Sequence, residues 1–276
     1  MRRIIAGLAV SLVLLAPLPA HADVPDPVKR LHALVVPGRG VTISAVTRMS
    51  FDGKHAATTR TTRVAEFLKG GGVETDDIST FSFSSWIRSK LSELPEDLES
   101  EMLFPTLLIK AGGAYYTSGG ALVGKLPLDK KWVRSRWYES SPMDTTVDLL
   151  APGTLRALLA TASSTGPRTA RGTIYSSKIP GLPLGGIPGE RGEKVAWALW
   201  FDAKGRVTRL TTTASQRTND DIMLTISSDL RYTGWGARVT VEPPPEELVV
   251  EAEDIAEFDP FPWDLPIKLE TSPKRD

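Results

Sequence analysis

The amino-acid sequence predicts an α+β fold in which an antiparallel sheet dominates. Three observations favour this class. About ten segments alternate apolar and polar residues with the period of two that is typical of half-buried strands. Glycine, asparagine or aspartate separates most of these segments, and only a few others have helical spacing. The 276 residues include no cysteine, so the fold depends on a buried core rather than on disulfides.

The predicted elements begin with a helix and a long hairpin. Residues 27–36 place their apolar side chains on one side of a short helix. Residues 41–51 alternate between apolar and polar side chains, as a half-buried strand does. Asp52 and Gly53 form a two-residue hairpin signal. The threonine-rich residues 56–67 suit the returning strand, because β-branched side chains fit a pleated surface.

The remaining elements are further helices and strands. Leucine and isoleucine recur at helical spacing from Ile87 to Leu98, and Pro95 divides this stretch into two short helices. Residues 152–162 form the clearest helix, because proline lies near the start and three leucines share a face. Strands are predicted at residues 79–84, 103–110, 114–117, 131–136, 169–178, 193–202, 206–215, 221–232 and 238–242. Residues 193–202 are apolar on both faces, which predicts a strand covered on both sides.

The first 22 residues have the pattern of a secretory signal peptide. Arg2 and Arg3 precede the apolar residues 4–16, and the small-x-small sequence A-H-A ends at Ala22. We therefore expect cleavage after Ala22 and a mature chain that is secreted or held in the cell envelope. No later stretch approaches the roughly 18 to 20 apolar residues that cross a bilayer, so we expect this chain to be soluble.

The charge of the chain changes at residue 243. Residues 243–276 contain ten acids, three bases and seven prolines, whereas residues 23–242 carry a net charge of +5. The prolines at 243–245 cannot donate backbone hydrogen bonds to a sheet, so we predict a single domain of residues 23–242 followed by an acidic, proline-rich tail. Beyond about Glu251 we expect this tail to be largely disordered, either as a free spacer or docked on the basic domain.

Candidate catalytic and metal-binding residues are few. After the signal peptide the chain has only His32 and His55, which lie in different predicted elements, and it has no G-x-S-x-G motif. The aspartate pairs at 76–77 and 220–221 do not extend into a calcium-binding loop. An enzyme would require one of the two histidines to meet a carboxylate and a hydroxyl in a cleft. The sequence therefore predicts no catalytic residue, no metal site, no cofactor and no enzymatic activity.

Two segments suit binding surfaces. Residues 130–137 combine four basic residues with two tryptophans, which fits either contact with the anionic headgroups of a membrane surface or a solvated strand with its tryptophans in the core. In residues 179–189, prolines and glycines forbid regular structure, yet Leu182, Leu184 and Ile187 are apolar. They predict either a mobile flap over a ligand cavity or membrane, or a loop folded on the core. The modest charge of the domain indicates no nucleic-acid partner.

Five segments carry local patterns of a known family, in the family's order. They are Tyr115-Tyr116 with Lys131-Trp132-Val133; residues 152–162; residues 169–173; residues 195–209 with Trp200, Asp202 and Gly205; and residues 232–244 with Gly236 and Val239. This pattern, which spans nearly the whole domain, resembles the LolA-like superfamily of exported lipoprotein carriers, especially the actinobacterial LppX/LprG-type lipid-binding lipoproteins. The chain departs from them at the lipobox, where Ala22 and Asp23 stand without a cysteine. We therefore expect it not to be lipid-anchored.

The resemblance implies a strongly curved antiparallel sheet, an incomplete β-barrel, with a few helices covering its concave side and an apolar cavity for acyl chains. We expect a non-catalytic binding protein for a lipid or another hydrophobic ligand. The candidate ligand-binding residues are Ile43, Ala45, Leu107, Ile109, Val195, Trp197, Leu199, Ile222, Leu224 and Ile226. The alternative is an envelope interaction or sensor protein with a filled core that binds a protein partner through its tail.

Overall fold

The computed structural model describes residues 26–91, 104–136, 147–151, 153–180, 192–217 and 221–255. The strands are β1 Arg39–Phe51, β2 Lys54–Phe67, β3 Val73–Phe83, β4 Thr106–Ala111, β5 Ala114–Gly119, β6 Trp132–Ser135, β7 Ala162–Gly166, β8 Thr169–Tyr175, β9 Lys194–Phe201, β10 Val207–Arg217, β11 Met223–Arg238 and β12 Val249–Glu251. The α-helices are α1 Pro27–Leu34, α2 Ser85–Leu91 and α3 Thr154–Ala160. Among the described helices, none is long and apolar enough to cross a membrane.

All of the described strands form one open sheet. Their order is β12-β6-β5-β4-β3-β2-β1-β11-β10-β9-β8-β7, so β12 and β7 are the two edges. The pair of β12 and β6 is parallel, and the other neighbouring pairs are antiparallel. The predicted α+β class, with an antiparallel sheet that forms an incomplete barrel, is confirmed.

The hairpin of β1 and β2 turns at the predicted residues. Asp52 and Gly53 both have positive φ, 48° and 78°, which is the sign that a type I′ turn requires. Glycine adopts this conformation without steric cost. Beyond the turn, β1 pairs along its length with β2 on one side and with β11 on the other. This hairpin therefore forms the middle of the sheet.

The core lies on one face of the sheet, which we call the inner face and which includes Ile43, Leu199 and Leu230. Residues of α1 and α3 pack on it and complete the main core cluster. A second cluster lies where Ile87 of α2 contacts Phe83 and the neighbouring alanines. The few helices therefore cover the inner face near its two ends.

The opposite face, the outer face, is open along β9. Ala196 is exposed and Ala198 and Trp200 are half-buried, whereas the alternate residues on the inner face are buried. The prediction that this strand is covered on both sides is wrong. The two alanines expose little apolar surface, and the guanidinium of Arg209 lies 4.7 Å from the centre of the Trp200 ring. Apolar residue types on this side therefore do not indicate a second layer.

The sheet continues past the domain boundary predicted at Glu242. Strand β12 pairs with β6, and Arg134 of β6 forms salt bridges with Glu246, at 2.9 Å, and with Glu251. Lys130 Nζ donates a hydrogen bond of 2.9 Å to a backbone carbonyl of the same acidic segment. The first part of the tail, residues 246–251, thus docks on residues 130–134. The rest of the tail lies outside the described residues.

Several predicted boundaries differ from the structure. Strand β3 begins at Val73 rather than at residue 79, and β7 was not predicted. The strand predicted at 238–242 does not form, because β11 runs to Arg238 and no regular structure follows until Glu246. Helix α3 begins only after Gly153, whose φ is 88°. The predicted signal peptide, the helix predicted after Pro95 and the predicted flap residues Leu182, Leu184 and Ile187 lie outside the described residues.

Candidate ligand-binding face

The centre of the inner face carries a row of hydroxyl groups. Cross-strand register places Thr212, Ser228, Thr47 and Thr59 opposite one another on β10, β11, β1 and β2. The first three are buried, and the hydroxyl oxygens of Thr47 and Ser228 are 3.0 Å apart. The Oγ1 of Thr59 is buried and has no hydrogen-bond partner among the described residues. We call these four residues the hydroxyl row.

Next to the hydroxyl row, the inner face is apolar and half-buried. The register aligns Ala214, Ile226 and Met49 in one row, and it pairs Leu224 with Phe51 in the following row. We call these five residues the apolar strip. Leu224 and Ile226 are half-buried and belong to neither packed cluster. The strip therefore presents apolar surface that the described residues cover only in part.

On the other side of the hydroxyl row lies an ion pair. Arg63 Nη2 donates a hydrogen bond of 2.6 Å to Asp77 Oδ2, and Arg63 Nε donates one of 2.8 Å to Oδ1. The side chain of Asp77 is 5% exposed and that of Arg63 is 28% exposed. In the same register row, Tyr232 lies beyond Ile43, and burial raises the pKa of its hydroxyl well above the ordinary value. Its Oη has no hydrogen-bond partner among the described residues.

Five of the predicted ligand-binding residues lie in or beside the main core. Ile43, Val195, Trp197 and Leu199 are at most 5% exposed, and Ala45 packs against them. These side chains already contact one another and the helices that cover this end of the face. The structure thus brings these five residues together, but within packed protein. Contact between a ligand and any of them stays a prediction.

The other five candidates lie in different places. Leu224 and Ile226 belong to the apolar strip, and Ile222 is buried just before β11. Leu107 and Ile109 are on the outer face, because the residue of β4 that pairs with inner-face Asp77 is Leu108. Leu107 and Ile109 therefore cannot line one cavity with the inner-face candidates, which corrects that part of the prediction.

The two histidines lie in separate elements. His32 is exposed on α1, and His55 Nε2 is 3.2 Å from the hydroxyl of Thr58 at the start of β2. In the described ranges, no group of three or more histidine, aspartate or glutamate side chains could hold a metal ion. What the inner face offers chemically is apolar contact beside hydroxyl hydrogen bonding.

The hydroxyl row was not found in the sequence. Its signal was present in two places: Thr47 interrupts an apolar series between Ala45 and Met49, and Ser228 lies between Leu230 and Ile226. A single hydroxyl in an apolar series is common, so neither residue indicates a site alone. Only the register of β1 with β11 shows that the two interruptions meet.

No protein-family model matches the chain, and no curated protein matches it in sequence. Among solved structures, a DUF1329 family protein from Desulfovibrio piger ATCC 29098 aligns with a TM-score of 0.26 and 11% identity over 78% of this chain and 95% of that one. The hypothetical protein CT021 from Chlamydia trachomatis aligns with a TM-score of 0.29 and 10% identity over 76% and 93%. A candidate outer membrane lipoprotein-sorting protein domain from Vibrio parahaemolyticus aligns with a TM-score of 0.26 and 10% identity over 80% and 93%. At these TM-scores none of the three assigns a family or a ligand to the chain.

Proposed function

We propose that this chain is an exported, non-catalytic binding protein that holds a lipid or another hydrophobic ligand on the inner face of its sheet. The observation that carries the proposal is the apolar strip, with Leu224 and Ile226 half-buried and outside both packed clusters. An acyl chain lying on the strip would remove this surface from water. In the neighbouring hydroxyl row, the half-buried Thr59, whose Oγ1 has no hydrogen-bond partner among the described residues, would form a hydrogen bond with a neutral polar group of the same ligand.

As a ligand site, the apolar strip is favoured over a cavity among Val195, Trp197 and Leu199, because the main core is packed there. Val195, Trp197 and Leu199 are at most 3% exposed, so a ligand among them would have to displace α1 or α3. On the strip, Leu224 and Ile226 are only half-buried and lie outside both clusters of the described residues, so a ligand there need not displace α1 or α3. About ten methylenes at roughly 0.8 kcal/mol each contribute on the order of 8 kcal/mol before the cost of ordering the ligand. We therefore expect affinities no tighter than micromolar for a single chain.

Adjacent residues of β11 provide a matched test. Ile226→Trp places a large ring on the apolar strip, whereas Ser227→Trp places the same ring on the outer face. The assay is displacement of a fluorescent fatty acid, combined with native mass spectrometry of protein purified from a lipid-rich host. We expect Ile226→Trp to weaken probe binding at least tenfold and Ser227→Trp to leave it unchanged. Wild-type protein that carries no lipid and binds no probe contradicts the proposal.

A second candidate function is binding of a protein partner by an envelope protein with a filled core. The packed end of the inner face, where Trp197 and Leu199 lie beneath the helices, favours it. Protein that lacks lipid and probe binding, but is crosslinked to one envelope protein in its native host, would support this function. A chain ending at Ile255 then tests whether the remaining tail makes that contact.

Export and family remain part of the proposal. Cleavage after Ala22, release without a lipid anchor and kinship with the LppX/LprG-type carriers are supported by the sequence patterns. Amino-terminal sequencing of secreted protein tests the first of these, and a sequence beginning upstream of Asp23 would contradict it.

A further inference from the structure

The outer face of six neighbouring strands concentrates arginine. On β8, β9, β10, β11, β1 and β2, the register aligns three consecutive rows of outer-face residues. The rows are Thr169, Trp200, Arg209, Arg231, Ser44 and Thr62; Arg171, Ala198, Thr211, Asp229, Val46 and Arg60; and Thr173, Ala196, Thr213, Ser227, Arg48 and Thr58. We call these residues the arginine face.

Positive charge dominates the arginine face. It contains five arginines and one acid, and most of its other residues are serine or threonine. Arg48, Arg60, Arg171 and Arg231 are exposed. Within the described ranges, Asp229 is the acid whose carboxylate lies within 4 Å of an arginine of this face. Its Oδ1 is 2.8 Å from Arg209 Nε, and its Oδ2 is 3.9 Å from Arg231 Nη2. One carboxylate therefore offsets one of the five positive charges.

The arginines are spread over the face rather than gathered in a groove. Strands are about 4.8 Å apart and alternate residues about 6.8 Å apart, so the three rows cover roughly 24 by 14 Å. Two aromatic rings lie at the β8–β9 side of this area. Trp200 is beside Arg209, and the Tyr175 ring is 5.9 Å from Lys194 Nζ. Such rings, apolar with one polar atom, favour the boundary between water and lipid.

We propose that the arginine face docks the protein on an anionic phospholipid surface. Guanidinium groups bind phosphate oxygens through paired hydrogen bonds, and the surrounding hydroxyls add further donors. A broad field of charge suits the distributed charge of a bilayer better than it suits one acidic peptide or one nucleic-acid strand. The basic segment 130–137 is a weaker candidate, since Lys130 and Arg134 already contact the acidic segment of the chain. Because the inner face is not involved, docking is independent of the proposed ligand.

Sedimentation with vesicles tests the docking surface. We expect the full chain to bind vesicles of phosphatidylcholine and phosphatidylglycerol, mixed 3:1, at least tenfold more tightly than vesicles of phosphatidylcholine alone. Binding should weaken as salt rises from 0.1 to 1 M, because the Debye length shortens from about 10 to about 3 Å. Equal binding to the two kinds of vesicle, or binding that salt does not change, would overturn the proposal.

Paired substitutions locate the surface. Each arginine near an anionic leaflet contributes about a fivefold factor, so Arg48→Gln with Arg60→Gln should weaken binding about 25-fold. The control, Lys69→Gln with Arg156→Gln, removes the same charge from exposed positions in the β2–β3 turn and on α3, and should bind within twofold of wild type. Arg48→Lys with Arg60→Lys keeps the charge and should bind within threefold.

Three outcomes of these variants would refute the docking surface. The first is an equal loss of vesicle binding in the glutamine pair and in its control, since binding would then depend on the net charge of the protein and not on the position of the arginines. The second is a loss in the lysine pair as large as that in the glutamine pair, which would point to damage to the fold. The third is stronger binding to duplex DNA or polyglutamate than to the anionic vesicles at equal charge concentration, which would assign the face to a macromolecular partner. The fatty-acid displacement assay tests the ligand on the inner face. Its outcome neither supports nor contradicts docking through the arginine face.

Discussion

Asp77→Asn tests how much of the stability of the inner face depends on its ion pair. The substitution keeps the shape of the side chain but removes the carboxylate charge that pairs with the guanidinium of Arg63. Removing one partner of a fully buried pair costs about 3–5 kcal/mol. Asp77 is 5% exposed but Arg63 is 28% exposed, so water partly solvates the remaining charge. We therefore expect the free energy of unfolding to fall by about 2–3 kcal/mol.

The control is Asp229→Asn on the outer face. Asp229 accepts two hydrogen bonds of 2.8 Å from Arg209, nearly the same geometry, but the side chains are 25% and 37% exposed. Exposed pairs contribute about 0.2–1 kcal/mol, so the control should lose less than about 1 kcal/mol. Urea unfolding at pH 7 measures both losses, and Tm should fall by about 2–4 °C per kcal/mol. Equal losses in the two variants would refute the reasoning that burial sets the cost.

Two further substitutions and a pH series give expected outcomes in the same unfolding assay. Gly172→Ala should lower the free energy of unfolding by about 1–3 kcal/mol, because its Cβ would lie 2.3 Å from the carbonyl oxygen of Thr161 and 2.8 Å from the ring of Trp197; an unchanged midpoint would contradict the close approach. Tyr232→Phe should raise the free energy of unfolding by about 0.5–1.5 kcal/mol, since it removes a buried hydroxyl that has no partner among the described residues; a loss of stability would reveal a partner. The hydrogen bond from Arg209 lowers the pKa of Asp229, so its stabilising contribution is present above the ordinary pKa and is lost as pH falls through the lower, folded value. Stability should therefore fall less steeply between pH 5 and pH 2 in Asp229→Asn than in the wild type, and parallel curves would show that the carboxylate does not contribute.

The parts of the fold that the sequence predicts are those that local signals determine. The turn lies at Asp52 and Gly53, as the dipeptide indicates. The alternation of apolar and polar residues identifies β1 along most of its length. The start of β3 was missed because Glu74, Asp76 and Asp77 are typical of a loop. In the structure, Arg63 on the neighbouring strand offsets the charge of Asp77. A contact between residues 14 positions apart has no local pattern.

The candidate site was predicted only in part, because alternation does not tell which side of a strand faces inward. Leu107, Leu108 and Ile109 are all apolar, so either side of β4 could have been internal, and Leu108 is the one that shares a face with Asp77. The distinction between packed core and open strip depends on where the helices lie. Val195 and Ile226 are similar residues in similar strands, yet Val195 is buried in the main core and Ile226 is half-buried outside it.

The pairing of β1 with β11 also decides when the sheet can be completed. Strands β2 to β6 extend from one side of β1, and strands β7 to β10 extend from β11. Within the described strands, the two halves of the sheet are joined only by the pairing of β1 with β11, which we call the seam. The seam pairs residues that are distant in sequence, such as Thr47 and Ser228, which are 181 positions apart. Its formation therefore requires the closure of a long loop, a step that slows folding. A chain that emerges amino terminus first, from a ribosome or through a membrane pore, must therefore wait with one edge of β1 unpaired until β11 has followed. During that interval the nascent chain exposes an unpaired strand edge. Such an edge can pair with another chain and start aggregation, or it can be bound by a chaperone that holds unfolded chains.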